Sequence, residues 1–155
     1  MKWVTENIEF ATGEKYQLLD ITYDIEEKIN SLSIESGVCI INVPHATAGL
    51  IANENETGVK EDILNRILAL APENVTYQHD RIDNNARAHV ISSIIGTDSV
   101  FIIEEGRLVR GIWQNIFFVE LDGPRSVRKV VIKIFGEWLL MAGSLWRIAI
   151  AKHGG

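Results

Sequence analysis

A chain of 155 residues with 46% hydrophobic residues, 23% charged residues and three prolines is a folded domain long enough to bury a core, not a disordered segment. Its net charge of −6 speaks against a broad nucleic-acid surface, which needs clustered Lys and Arg. Local basic spots remain, because Arg107, Arg110, Arg125, Arg128 and Lys129 fall within a short reach, enough for one small phosphorylated ligand.

The N-terminal "MKWVTENIEF" alternates like a strand and carries no apolar signal-peptide region. No apolar run approaches the ~18 residues of a membrane span. The expectation is a cytosolic protein. "KWVTENIEFAT" and "YQLLDI", on either side of Gly13-Glu14, read as an antiparallel pair. From Thr22 as N-cap, "TYDIEEKINSL" sets Ile25, Ile29 and Leu32 on one helical stripe, with acids in the first turn and Gly37 beyond its end. "VCIINVP" is a short apolar strand in which the single cysteine, Cys39, reads as a core thiol. After a loop around His45, "AGLIANE" is a further strand. "TGVKEDILNRILAL" repeats Val59, Ile63, Ile67 and Leu70 at helical spacing until Pro72 stops it.

The stretch "TYQHDRIDNNARAHV" then leads into a helix from about Asn84 to Ile95 that ends at Gly96, with Asp83 or Asn84 as cap. "SVFIIEE", "RLVRGIWQNIFFVELD" and "SVRKVVIKIF" read as three closing strands, turned at Glu105-Gly106 and at Asp122-Gly123-Pro124. In the last of them Lys129 and Lys133 alternate with Val130, Ile132 and Ile134, so one face is buried. The fold class is α+β, a mostly antiparallel sheet with about three helices inserted in the first two thirds. One domain spans residues 1–137. Residues 138–155 form an apolar C-terminal extension of unassigned role.

Three polar spots carry the candidate chemistry. Between His79 and His89 the chain places two histidines, two aspartates and two asparagines within eleven positions. Imidazole and carboxylate suit zinc or manganese, and carboxylate with water suits magnesium. The spacing matches no standard metal motif, so a capped loop entry is the competing reading. On a helical wheel Val90, Ile91, Ile94 and Ile95 point away from His89, which leaves His89 on a polar face beside Asn85 and Ser93. There a solvated histidine competes with a functional one. The second spot, "PHATAGLIANENE", puts His45 directly after Pro44 at the end of a buried strand, where active-site groups often sit. Asn53 and Glu54 lie at the far end of the next strand, where capping is the alternative. The third, "RGIWQNIFFVE", places Arg110, Gln114 and Glu120 on one strand face by period-two alternation, among Ile112, Ile116 and Phe118. Those polar groups need partners or a ligand. No Gly-rich phosphate loop, serine elbow or paired cysteines are present.

In combination and in this order, "PHATAGLIANENE", "YQHDRIDNNARAH", "GTDSVFIIEEGRLVRGIWQNIFFVELDGPR" and "RKVVIKIFGE" resemble the YjbQ family, whose members are often labelled secondary thiamine-phosphate synthases. The resemblance covers the chain up to Glu137. It implies a barrel-like sheet, a homotrimer, and a polar pocket built here from His45, Asn53, Glu54, His79, Asp80, His89, Gln114 and Arg128. Ala46 stands where relatives commonly carry a hydroxyl residue, and the tail after Glu137 has no counterpart.

The resemblance implies a transferase for a small phosphorylated substrate. Such an enzyme joins a thiazole phosphate to a pyrimidine carried as its diphosphate and releases diphosphate, which positive charge must stabilise. Histidines 45, 79 and 89 are the candidates for acid–base work and, as neutral imidazoles, for holding one divalent metal, zinc before magnesium. Asn53, Glu54, Asp80, Gln114 and Arg128 are the candidate substrate contacts. No organic cofactor, nucleic acid or membrane is expected. The other reading is a metal- or anion-binding trimer without turnover.

Overall fold

A computed structural model describes residues 2–138. Eight strands and three α-helices follow one another as β1 (Lys2–Thr12), β2 (Gln17–Asp20), α1 (Thr22–Ser31), β3 (Ile34–Asn42), β4 (Ala48–Glu54), α2 (Thr57–Ala69), α3 (Ala86–Ile95), β5 (Asp98–Glu104), β6 (Arg107–Leu108), β7 (Gln114–Glu120) and β8 (Arg125–Trp138). A 3-10 turn, Gln78–Arg81, precedes α3. The strands form a five-stranded sheet in the order β1-β8-β3-β5-β6 and a three-stranded sheet in the order β2-β7-β4. Every ladder is antiparallel. Together they make the curled, half-barrel α+β fold that the strand pattern and the resemblance lead one to expect.

The core is divided by the central strand of the smaller sheet. On one side Ile116 and Phe118 of β7 meet Cys39, Ile41, Ile132 and Ile134 of the larger sheet, with Ile25 and Ile29 of α1 closing the end. On the other side Val119 and Leu121 receive Ile67 of α2 and Ile91 of α3. A strand buried on both faces reads as a continuous apolar run, and "IFFV" is one. Burial also pushes the Cys39 thiol pKa up to about 12, so this cysteine is an inert core group.

Several local expectations are corrected. β1 and β2 do not pair. β1 lies along β8 from Lys2↔Gly136 to Thr12↔Arg125, and β2 lies along β7 in the other sheet. Thr22 is the first residue of α1, not its cap; the Asp20 carboxylate accepts hydrogen bonds from its backbone N–H at 3.0 Å and its hydroxyl at 2.6 Å. Gly37 lies within β3. The expected strand from Arg107 to Asp122 is broken into β6 and β7. Residues 109–113 loop out, and the Gln114 side chain closes the loop by accepting from the Gly111 N–H at 3.2 Å. Arg110 and Ile112 therefore share no strand face with Gln114. The Glu105-Gly106 turn is as expected, a two-residue hairpin with φ of 51° and 73° that pairs Glu104 with Arg107.

On α3 the expected inward stripe is half realised. Ile91 is buried, yet Val90 and Ile94 are exposed, and the small residues Ala86, Ala88 and Ser92 face inward instead. Close approach explains this choice. A Cβ on Gly49 would sit 2.4 Å from the Ile95 side chain. The Ser92 hydroxyl donates to the Ala48 carbonyl at 2.6 Å and the Leu50 N–H to the Gly96 carbonyl at 3.1 Å. Small residues let α3 lie tight against β4, and this fixes where His89 stands.

Candidate functional site

The sequence-selected residues fall into three separate places. The first joins the 3-10 turn to α3. The Asp80 carboxylate accepts from the Ala86 N–H at 3.1 Å, which draws the turn back onto the start of the helix in place of an Asp83 or Asn84 cap. Folded in this way, the chain brings two side chains ten positions apart into contact. The His79 and His89 rings meet edge to face, with centroids 4.8 Å apart and planes at 74°. Both residues are half-buried. His79 Nε2 is fully buried and has no hydrogen-bond partner among the described residues. His89 also borders a shallow hollow of about 290 Å³, shared with Ala46, Ser93 and Asp98.

The second place is built around His45. Its backbone N–H donates to the Val43 carbonyl at 2.9 Å, a tight turn after β3 that lays the ring across β8. There the Lys129 N–H donates to His45 Nε2 at 2.9 Å. A ring whose Nε2 lone pair is occupied carries its proton on Nδ1 when neutral. Burial first, and then the nearby Arg128 guanidinium, hold its pKa below the usual histidine value. Beneath the ring the Glu120 carboxylate, 0% exposed, faces Arg128, 5% exposed. Arg128 Nε donates at 2.7 Å to one carboxylate oxygen and its terminal nitrogen donates to the other and, at 3.1 Å, to the Thr47 hydroxyl. The Thr12 hydroxyl and the backbone N–H groups of Leu121 and Asp122 complete the carboxylate's shell. Burial pushes the Glu120 carboxyl pKa up, and the bonds from Arg128, Asp122 and Thr12 outweigh it, so the pKa lies below the usual value. Both oxygens of the buried carboxylate are engaged.

The third place is an open hollow of about 580 Å³ where Asn53, Glu54 and Gln114 meet Ile112 and Trp113. Glu54 and Gln114 are direct cross-strand partners. No residue that borders this hollow also borders the one beside His89.

The structure thus unites His79 with His89, and Asn53 with Glu54 and Gln114, while His45 belongs with Arg128. Among the described residues, no three His, Cys, Asp or Glu side chains are arranged to hold one metal ion. Within one chain the described residues bring two of the three histidines into contact, and the Nε2 of the third, His45, is taken by the Lys129 amide. Asp80 is engaged as a helix cap. Arg110, a further phosphate candidate, is held by Glu26 at 2.9 Å and by the Gln114 carbonyl at 2.8 Å.

Alternation set Glu120 in phase with Gln114, Ile116 and Phe118 of β7, as observed, but wrongly added Arg110 and Ile112 and left out Thr12 and Thr47. One signal was available: in β8 the even positions Val130, Ile132 and Ile134 point inward, and Arg128 shares their phase. A buried arginine requires a buried acid, and Glu120 is the acid set into the apolar run.

A curled antiparallel sheet with three helices, a capped imidazole pair and a buried Glu–Arg clasp defines a small α+β protein with a polar surface site. Comparison gives the particular family. Residues 6–137 match the family model described as UPF0047 protein YjbQ-like. A UPF0047 protein of Archaeoglobus fulgidus is 39% identical over 122 residues, 79% of this chain and 94% of that protein. The UPF0047 protein YugU of Bacillus subtilis is 36% identical over 135 residues, 84% and 98% of the two chains. The crystal structure of a YbjQ-like protein from Sulfolobus solfataricus P2 superposes with a TM-score of 0.85 at 43% identity, covering 88% of this chain and 99% of that one. The chain belongs to the YjbQ/UPF0047 family.

Proposed function

We propose that this protein is a small-molecule enzyme whose chemical centre is the His79–His89 pair, and that the pair binds the phosphate of its substrate. The observation that carries the reading is His79 Nε2, buried and unpartnered beside a second imidazole. A buried polar atom without a partner costs roughly 1–3 kcal/mol, and a ligand oxygen would supply the missing bond. Two other candidate phosphate groups are engaged, because Arg128 and Arg110 are already bound to Glu120 and Glu26.

The reaction to test first is transfer of a pyrimidine from its diphosphate to a thiazole phosphate with release of diphosphate, the expectation drawn from the label that family members often carry. In that reaction the imidazole N–H groups of His79 and His89 would donate to the leaving diphosphate, where charge develops. One ring, protonated, would serve as the general acid. His45 would act at a distance, keeping the loop that carries Ala46 in place beside His89. Asn53, Glu54 and Gln114 would contact substrate only where assembly, which the resemblance suggests is a homotrimer, brings a second chain's hollow to the pair.

Zinc binding without turnover is the second reading. It is favoured by the same buried nitrogen, since neutral imidazole is a good zinc ligand. Against it, the described residues of one chain bring together two such ligands and not three, and of the carboxylates near the pair Asp80 is engaged as a helix cap. Calorimetric titration of inorganic diphosphate, and separately of zinc, at neutral and mildly acid pH separates the readings. Anion binding should strengthen in acid and zinc binding should vanish, because protonated imidazole donates but does not ligate. His89→Ala should abolish diphosphate binding while costing about 1 kcal/mol of stability or less. Unchanged diphosphate binding in His89→Ala removes the phosphate reading, and zinc uptake below millimolar concentration establishes the second.

A further inference from the structure

Two buried side-chain polar atoms have no hydrogen-bond partner among the described residues, His79 Nε2 and Asn85 Oδ1. The first belongs to the imidazole pair. The second belongs to a residue that borders a different space. This is a cavity of about 310 Å³ between Lys15 and Tyr16 ahead of β2, the start of α3, and the chain just after β7. Neither histidine of the pair borders it.

The orientation of the Asn85 amide is set by its neighbour. Its Nδ2 donates to Asp122 Oδ2 at 3.0 Å, and a flipped amide would turn its oxygen against that carboxylate. The open atom is therefore an acceptor, and it needs a donor. Two carboxylates stand beside it. One is Asp122. The other is Asp80, which accepts at 3.1 Å from the N–H of Ala86, the residue that follows Asn85 in the chain. Each carboxylate uses one oxygen in this way, and its other oxygen meets no donor among the described residues. One amide oxygen and two carboxylate oxygens match the three N–H donors of a primary ammonium group.

The ion pairs decide what else the ligand carries. Glu73, at the cavity's edge, is paired with Arg87, and Asp122 is paired with Arg125. Arg87 is further committed to the carbonyls of Leu68 and Ala71 and to the Tyr16 hydroxyl. Asp80 and Lys15 are left, one charge of each sign with no ion-pair partner among the described residues. The Lys15 ammonium lies 5.4 Å from the centre of the Tyr16 ring. A simple cation would answer Asp80 and oppose Lys15, whereas a zwitterion answers both.

We propose that this cavity binds a small amino acid, its ammonium group held by Asn85, Asp80 and Asp122 and its carboxylate by Lys15. The site is independent of the histidine pair, so neither stands or falls with the other. Magnetic resonance titration of the isotope-labelled full chain with L-alanine, up to tens of millimolar, tests it. The Asn85 side-chain amide and the backbone amides beside it should shift. Ethylammonium and propionate, which each carry one of the two charges, should bind more weakly by about tenfold or more. Lys15→Ala, at an exposed position, should remove the advantage of L-alanine over ethylammonium. Asn85→Ala should weaken L-alanine binding by about tenfold or more, and Lys15→Ala carries the test alone if that variant does not fold. An Asn85 amide that L-alanine leaves unmoved overturns the proposal. So does equal binding of the three probes, or a shift produced by magnesium and not by L-alanine, which would make the cavity a site for a hard cation.

Discussion

His45 and the His79–His89 pair use the same side chain for opposite ends. Around His45 the Lys129 amide meets Nε2, and Arg128 closes on Glu120 and Thr47. Around His79 a buried nitrogen is left open. A site that binds something must carry unmet bonding capacity, and a site that holds the fold must not. By that criterion the His45 region is a clasp between the β3–β4 loop and β8, and the pair on the 3-10 turn and α3 is the place for a ligand.

The largest effect should come from cutting the clasp. Arg128→Ala strands the Glu120 carboxylate in the core, and breaking a buried ion pair in this way costs about 3–5 kcal/mol. Denaturant titration checks it. A loss under about 1 kcal/mol would mean that water reaches the pair and that the contrast between the two regions is weaker than drawn.

A smaller loss should follow His45→Ala, roughly 1–3 kcal/mol, because the Lys129 N–H then lacks its acceptor. The same variant tests the electrostatics. Burial and Arg128 depress the His45 pKa in the folded protein, so as pH falls the unfolded chain takes up a proton first. Stability from neutral His45 is complete above the unfolded value of ~6.5 and declines as pH drops through it toward the lowered folded value. His45→Ala should flatten that part of the stability curve, and an unaltered acid slope would show that the ring is not held neutral.

Periodicity made much of the fold legible. α2, β4, β5 and β8 fall where alternation or helical spacing places them, and the Glu105-Gly106 hairpin follows from turn chemistry. Pairing was less legible. β1 and β2 are neighbours in sequence, but an alternating strand does not specify its partner, and β8 offered β1 a longer apolar match. The split between β6 and β7 was hidden because "LVRGIWQ" keeps strand-like composition while Gln114 turns it through a side-chain bond to Gly111. At the site, the residue types were visible and their grouping was not. His79 and His89 share no helical period, and it is the Asp80 cap that brings them together. His45 stood out for its place after Pro44, yet whether its nitrogen was free depended on a backbone amide of a strand more than eighty residues away.

Side-chain nitrogen NMR of the histidines, with and without inorganic diphosphate, tests the division of labour most directly. The account predicts a neutral His45 protonated on Nδ1, unmoved by diphosphate, and shifts confined to the rings of His79 and His89. A His45 that carries its proton on Nε2, or that responds to diphosphate while the pair stays still, would contradict it.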